Sequence, residues 1–182
     1  HFFFDCSHEE LSSMFMKEMQ ISETALQIFE NTYPKQFLHQ LVSSQLDTDR
    51  LDYLTRDSFF TGVSEGVIGT ERILKMFNVG NGELMVDEKG VYSIEKFIIS
   101  RRLMYWQVYM HKTVVAADNL MTNILKRARD LQSVGKLNLQ NHTISKHLAY
   151  FIEQGVRSKH DKEAIRHFLL IDDSDVWSCV KA

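Results

Sequence analysis

Proline is almost missing from this chain: Pro34 is the one example in 182 residues, beside only eight glycines. Both residues interrupt regular structure, so their scarcity excludes a many-turned β architecture and points to helices. Cysteine is equally scarce. Cys6 and Cys179 stand at opposite ends, which excludes a disulfide scaffold or a cysteine-rich metal site and reads as two reduced thiols of a cytoplasmic protein. No apolar run approaches the roughly 18 residues of a membrane-spanning helix. The short apolar start has no basic stretch before it, so it does not read as a signal peptide. Charge of one sign is not in excess either, with a formal net charge of -3. Nothing global favours nucleic acid or an anionic membrane, and any anion site has to be a local cluster.

What is present is helical. Hydrophobic residues make up 44% and charged residues 25%, an ordinary globular balance with enough apolar material for a substantial core. Ser7 and Glu10 form a capping-box pattern ahead of helically spaced apolar positions. Ser22 caps a second expected helix, and Pro34 suits the first turn of a third. A helix over Thr48–Thr61, ended by Gly62, and a short one with Thr70 as its cap follow. The β signal is confined to 83–93, where runs at Glu83–Val86 and 91–93 flank a Glu-Lys-Gly turn. One long helix is expected over about 94–131, then a polar linker, helices near 144–153 and 159–169, and a last one after residues 171–177. The expected fold is therefore all-α with one small hairpin near residues 83–93. Residues 1–131 would form the core, including the long helix, and 132–182 a helical extension.

The stretch QLDTDRLDYLTRD, residues 45–57, concentrates the candidate chemistry. At about 100° per residue, Asp49, Tyr53 and Asp57 share one stripe, with Arg50 at its border and Leu51, Leu54 and Ser58 on the opposite side. Asp52 and Arg56 form a separate structural pair, acid first. A solvated charged face would produce the same pattern. The alternative is a ligand site, with Asp49 as a hard oxygen donor for a divalent cation, Arg50 for a phosphate, and Tyr53 and Asp57 for a sugar and its hydroxyl. Metal, phosphate and sugar would then follow the order in which a nucleotide presents them. In the long helix, Arg101, Tyr105 and Tyr109 repeat the spacing, with Lys112 near the same face. That stripe suits a polyphosphate with a sugar or base, although tyrosines on a central helix are equally core residues. His142, His147 and His167 read as exposed or capping residues, because no acids stand at metal-ligand spacing from them. Met14, Met16, Met76, Met104 and Met121 read as core fillers.

Taken together, DTDRLDYLTRDSFFTGV, IEKFIISRRLMYWQVYMHKT and SHEE resemble the HD-domain phosphohydrolases, specifically the deoxynucleoside triphosphate triphosphohydrolases. The resemblance covers most of residues 5–131. It implies metal-dependent hydrolysis of a deoxynucleoside triphosphate to deoxynucleoside and triphosphate, in a cytoplasmic homo-oligomer. It implies that Asp49 is the last ligand of a divalent metal, Mg, Mn or similar, and that Arg50 and Arg101 contact phosphates. Tyr53, Asp57 and Tyr109 would hold the deoxyribose. Tyr105 lies among them, where allosteric relatives often carry His. His8 would be the catalytic general acid and Glu9 its orienter. His111 and Lys112 match a regulatory pair that meets an activator nucleotide between subunits.

The chain also departs from that family's pattern. The His and the adjacent His-Asp that complete the metal set are expected upstream of SHEE, and the His160–Asp161 dipeptide reads as a surface loop. The expectation is a middle portion of a longer protein, inactive alone, with an apolar face exposed near residues 1–4 and Phe59–Phe60. Two alternatives remain: a different HD-superfamily phosphohydrolase, or a non-catalytic nucleotide-sensing or oligomerisation module.

Overall fold

The computed structural model describes residues 4, 6–137, 139, 144–156 and 161–181. Among them are ten α-helices and one two-stranded antiparallel sheet. The protein is all-α with a small hairpin. It divides into two compact units: Glu23–Ala117, and the residues up to Ser22 together with those from Asp118 onward.

In the first of these units, α2 spans Glu23–Phe29, α3 Gln36–Val42, α4 Thr48–Thr61 and α5 Thr70–Met76. The strands are β1, Phe77–Gly80, and β2, Glu83–Val86, and α6 covers Val91–Met104. Helix α4 has the limits that its sequence signals give. Asp47 is its N-cap, accepting from the Arg50 amide at 2.8 Å, and Gly62 ends it at φ 71°, a left-handed position that suits glycine. Leu51, Leu54 and Ser58 are its buried side, packed with Ile68, Ile73, Phe97 and Met104. Burying each large apolar side chain contributes about 1.5–3 kcal/mol. The closest approach in this core is at Gly66, where an added Cβ would stand 2.7 Å from Met104 Sδ and 2.8 Å from Ser58 Cβ. The Asp52–Arg56 ion pair forms on the exposed side.

Three expectations change here. The hairpin pairs Glu83–Val86 with the segment before it, not with 91–93: Phe77 faces Val86 and Gly80 faces Glu83. Its turn is Asn81-Gly82, with φ of 54° and 84°, the residue pair best suited to the two left-handed positions of a tight hairpin. The Glu-Lys-Gly segment instead forms a 3-10 turn, Glu88–Gly90, capped by Asp87, and residues 91–93 open α6. Second, the long helix is broken. Helix α6 ends at Met104, a π-helical turn occupies Tyr105–Tyr109, and a new helix, α7, runs over Lys112–Ser133. The wide turn is closed by the Met110 amide on the Tyr105 carbonyl at 2.8 Å. Third, Pro34 precedes α3 rather than sitting in its first turn, because Lys35 takes the extended N-cap conformation.

In the other unit, α1 spans His8–Glu18, α8 Lys146–Glu153, α9 Lys162–Leu169 and α10 Asp173–Lys181. The predicted capping box opens α1: the Glu10 amide donates to Ser7 Oγ at 3.1 Å, and the Ser7 amide donates to Glu10 Oε2 at 2.9 Å. Phe4, Tyr150, Phe151, Ala164 and Ile165 form one buried cluster, with Met14, Phe15 and Phe168 against it. Leu139, Leu148 and Ile152 form another, backed by Leu125 and Ala128 of α7. Among the described residues, no helix is long and apolar enough to cross a membrane.

Candidate functional site

Helix α4 and the π-helical turn bring the two candidate stripes of the Glu23–Ala117 unit together. The Tyr109 hydroxyl donates to Asp57 Oδ2 at 2.7 Å. The Tyr53 ring meets Tyr109 edge-on, with centroids 5.8 Å apart, and Tyr105 meets Tyr109 in the same manner at 5.3 Å. The Arg101 guanidinium lies 5.7 Å from the Tyr105 ring centre, within the range of a cation–π contact, and Nη1 donates to Gln45 Oε1 at 3.3 Å. Three tyrosines, one carboxylate and one guanidinium thus line a continuous surface. Beside it is an open groove of about 560 Å³, floored by Phe97 and walled by Ile98, Arg101, Tyr105 and Trp106. Arg102 covers Trp106, 4.6 Å from its ring centre.

The two phenols most enclosed by this cluster are both held protonated. Burial pushes the Tyr109 hydroxyl well above its ordinary value, and the hydrogen bond to the Asp57 carboxylate, which needs the proton, adds to the rise. Burial also raises Tyr53, with Tyr105 adding to it and the cations Arg101 and Arg50 offsetting part. At neutral pH the site therefore presents phenol donors and a carboxylate acceptor.

Asp49 projects from the first turn of α4 and is exposed, so its carboxylate is open to a ligand. Arg50 is more committed. It pairs with the buried carboxylate of Asp47, and Nη1 also donates to the Ser44 carbonyl at 2.7 Å. Its Nε is buried with no partner. Asp47, 1% exposed, was not singled out from the sequence. The available signal was its place just before a helix start, where an aspartate caps. Nor was Gln45, or the π-helical turn, for which the local sequence carries no marker.

His111 and Lys112 are exposed beside the start of α7. His8 and Glu9, exposed in the first turn of α1, belong to the other unit. The expected exposed apolar residues are present at Phe59 and Phe60, 79% and 78% accessible, whereas Phe4 is buried; residues 1–3 lie outside the described residues. His147 and His167 are not surface residues but half-buried and in mutual contact. His142 and His160 lie outside the described residues. Among the described residues, no group of three or more His, Cys, Asp or Glu side chains is arranged to hold a metal ion.

A helical scaffold that gathers tyrosines, an acid and arginines on one surface defines a class of polar-ligand sites. The sequence comparison places the scaffold. Residues 68–173 match the family described as the HD associated region, more than half of the chain, and the chain belongs to that family. A solved phosphohydrolase, BT4208 of Bacteroides thetaiotaomicron, superposes on 99% of this chain and 46% of its own, with TM-score 0.89 and 45% identity. The uncharacterised protein YwfO of Bacillus subtilis is 40% identical over 109 residues, 60% of this chain and 25% of its own. The uncharacterised MG461 homologue of Mycoplasma pneumoniae is 28% identical over 185 residues, 91% of this chain and 43% of its own. The chain thus spans less than half the length of these relatives.

Proposed function

We propose that this chain forms the nucleotide-binding part of an HD-type phosphohydrolase that hydrolyses deoxynucleoside triphosphates to deoxynucleoside and triphosphate. The observation that carries this reading is the Tyr109–Asp57 hydrogen bond, set among Tyr53 and Tyr105 with Arg101 at one end. The phosphohydrolase name of the similar BT4208 supports the reaction class.

Each residue then has a chemical task. Asp57 accepts the 3′-hydroxyl of the sugar, since a carboxylate has acceptor sites beyond the one that Tyr109 fills. Tyr53 and Tyr109 cover the deoxyribose, and the bulk of Tyr109 disfavours a 2′-hydroxyl. Arg101 neutralises the distal phosphates, and Arg50, whose Nη1 is held by Asp47 and the Ser44 carbonyl, offers its Nη2 donors to a phosphate oxygen. Asp49 supplies one oxygen to a divalent metal, whose chemistry when bound is to polarise a phosphoryl oxygen and supply hydroxide. A divalent ion of this type takes about six ligands, so the others would come from outside these residues. His111 and Lys112, both exposed, are proposed contacts for an activator nucleotide in a homo-oligomer.

The test is made on the intact protein. With a deoxynucleoside triphosphate and Mn or Mg ions, inorganic triphosphate should be released. Asp49→Asn should abolish release, because the charge that helps hold the cation is gone, while nucleotide binding persists. Nucleotide binding with no turnover in the wild type would indicate a sensing module. Turnover of simple phosphomonoesters alone would assign another HD-type reaction. Either result overturns the proposal.

A further inference from the structure

Away from the candidate site, α8 and α9 meet through two histidines. His147 Nδ1 lies 3.1 Å from His167 Nδ1, and the two half-buried rings have centroids 5.0 Å apart, inclined by 57°. Two ring nitrogens at this distance form a hydrogen bond when one carries a proton and the other offers a lone pair. Two neutral rings satisfy this, and so does one neutral ring with one charged. Two imidazolium rings do not: each places an N–H on the contact, and the charges repel.

His167 is also held from its other side. Its ring stacks on Tyr150 with centroids 4.2 Å apart and planes 8° from parallel. The Tyr150 hydroxyl reaches Asp161 Oδ2 at 3.4 Å, and Asp161 caps α9 by accepting from the Ala164 amide at 3.2 Å. Turning His167, in the last turn of α9, away from His147 therefore breaks its stack on a ring whose hydroxyl reaches the cap of the same helix. We propose that the His147–His167 contact is a proton-sensitive latch: it fastens α9 to α8 while at most one imidazole is charged, and releases when both are.

The surrounding charges favour release on acidification. Lys146, beside His147 on α8, adds a like charge. Asp175 of α10 attracts, but its Oδ2 already accepts from the Asp172 amide at 3.1 Å. Asp161 is engaged as described, and Arg166, the neighbour of His167, is paired with Glu18 at 2.6 Å. Burial, then His167, then Lys146 pull His147 below the ordinary histidine value, with Asp175 opposing. The folded state thus binds fewer protons than the unfolded chain below the ordinary histidine value near 6.5. Stability of this helix pair is complete above that value and declines as pH falls through it. Release would loosen Ile165 and Phe168, which α9 places against Phe4 and Phe151.

Two measurements test the latch. Histidine ring resonances followed by NMR in the wild-type protein should show two separated titration steps for this pair, the second displaced well below the ordinary value. Independent titration of both rings near about 6.5 overturns the proposal. Amide exchange, corrected for intrinsic rate, should show α9 losing about tenfold protection between neutral pH and one unit below the second step, where doubly charged pairs outnumber singly charged ones by about that ratio. His167→Phe, which keeps the stack on Tyr150 and cannot titrate, should abolish that pH dependence. An unchanged dependence in that variant overturns the latch. If the variant does not fold, the wild-type titration decides alone.

Discussion

The Tyr109 hydroxyl donates a hydrogen bond to Asp57 Oδ2 across 2.7 Å, joining the last turns of α4 to the π-helical turn. The two residues are 52 positions apart in the chain. The bond orients the carboxylate before any ligand arrives and, after burial, is the next largest cause that keeps the phenol protonated. An isolated acid on a solvated helix would do neither.

If Asp57 reads a sugar hydroxyl, Asp57→Ala in the intact protein should lower kcat/KM for a normal deoxynucleotide by about 10- to 150-fold, the equivalent of about 1.5–3 kcal/mol for a hydrogen bond to a charged group. A 2′,3′-dideoxy substrate, with no hydroxyl to lose, should be affected far less. Asp52→Ala, on the exposed face, should move both substrates equally and mildly. Equal losses for both substrates in Asp57→Ala would show that the carboxylate acts on structure and not on the sugar.

Alkali should weaken the Glu23–Ala117 unit through the same phenol. The folded-state pKa of Tyr109 lies above its unfolded value, so the folded state retains a proton that the unfolded chain loses above about pH 10. Stability is complete below that value and is lost as pH rises through it toward the folded value. Denaturant unfolding from pH 9 to 11 (approximate limits) should show a steeper decline in the wild type than in Tyr109→Phe. Parallel declines would place the titrating group elsewhere.

Removing the buried Asp47 carboxylate should unsettle the start of α4. Asp47→Ala removes an N-cap, at about 0.5–2 kcal/mol, and leaves the Arg50 guanidinium without its closest partner. Chemical denaturation should show a loss of at least about 1 kcal/mol. Asn, which keeps a capping oxygen, should recover part of it. A neutral Asp47→Ala change would mean that Arg50 is held chiefly by the Ser44 carbonyl.

Gly66 is a packing constraint. An alanine methyl there would stand inside contact distance of Met104 and Ser58, so Gly66→Ala should destabilise by about 1–3 kcal/mol, the usual range for overpacking a filled core. Adding Met104→Ala should relieve part of that loss, because the sulfur that blocks the methyl is removed. Simple additivity of the two changes would refute the contact.

Much of α4 was legible beforehand. Its start before Thr48, its end at Gly62 and the separation of Leu51, Leu54 and Ser58 from Asp49, Tyr53 and Asp57 follow from the helical repeat and its punctuation. The hairpin turn was also written locally, in Asn81-Gly82, yet Glu83–Val86 could be paired with either neighbour on apolar pattern alone. Turn chemistry decides for the earlier segment. The long helix differs from its expectation for another reason. Residues 94–131 carry helical composition throughout, and nothing in the run marks where one turn widens.

By itself, then, the sequence determined helical class, cap positions and which side chains share a stripe, because these depend on residues within a few positions of one another. Only the tertiary structure decided that Tyr109 reaches Asp57 and that His147 meets His167. These contacts join residues 52 and 20 positions apart. They exist because burial of Leu54, Met104, Phe151 and Ile165 fixes how whole helices lie within each unit, and that summed packing leaves no signature at the residues it brings together.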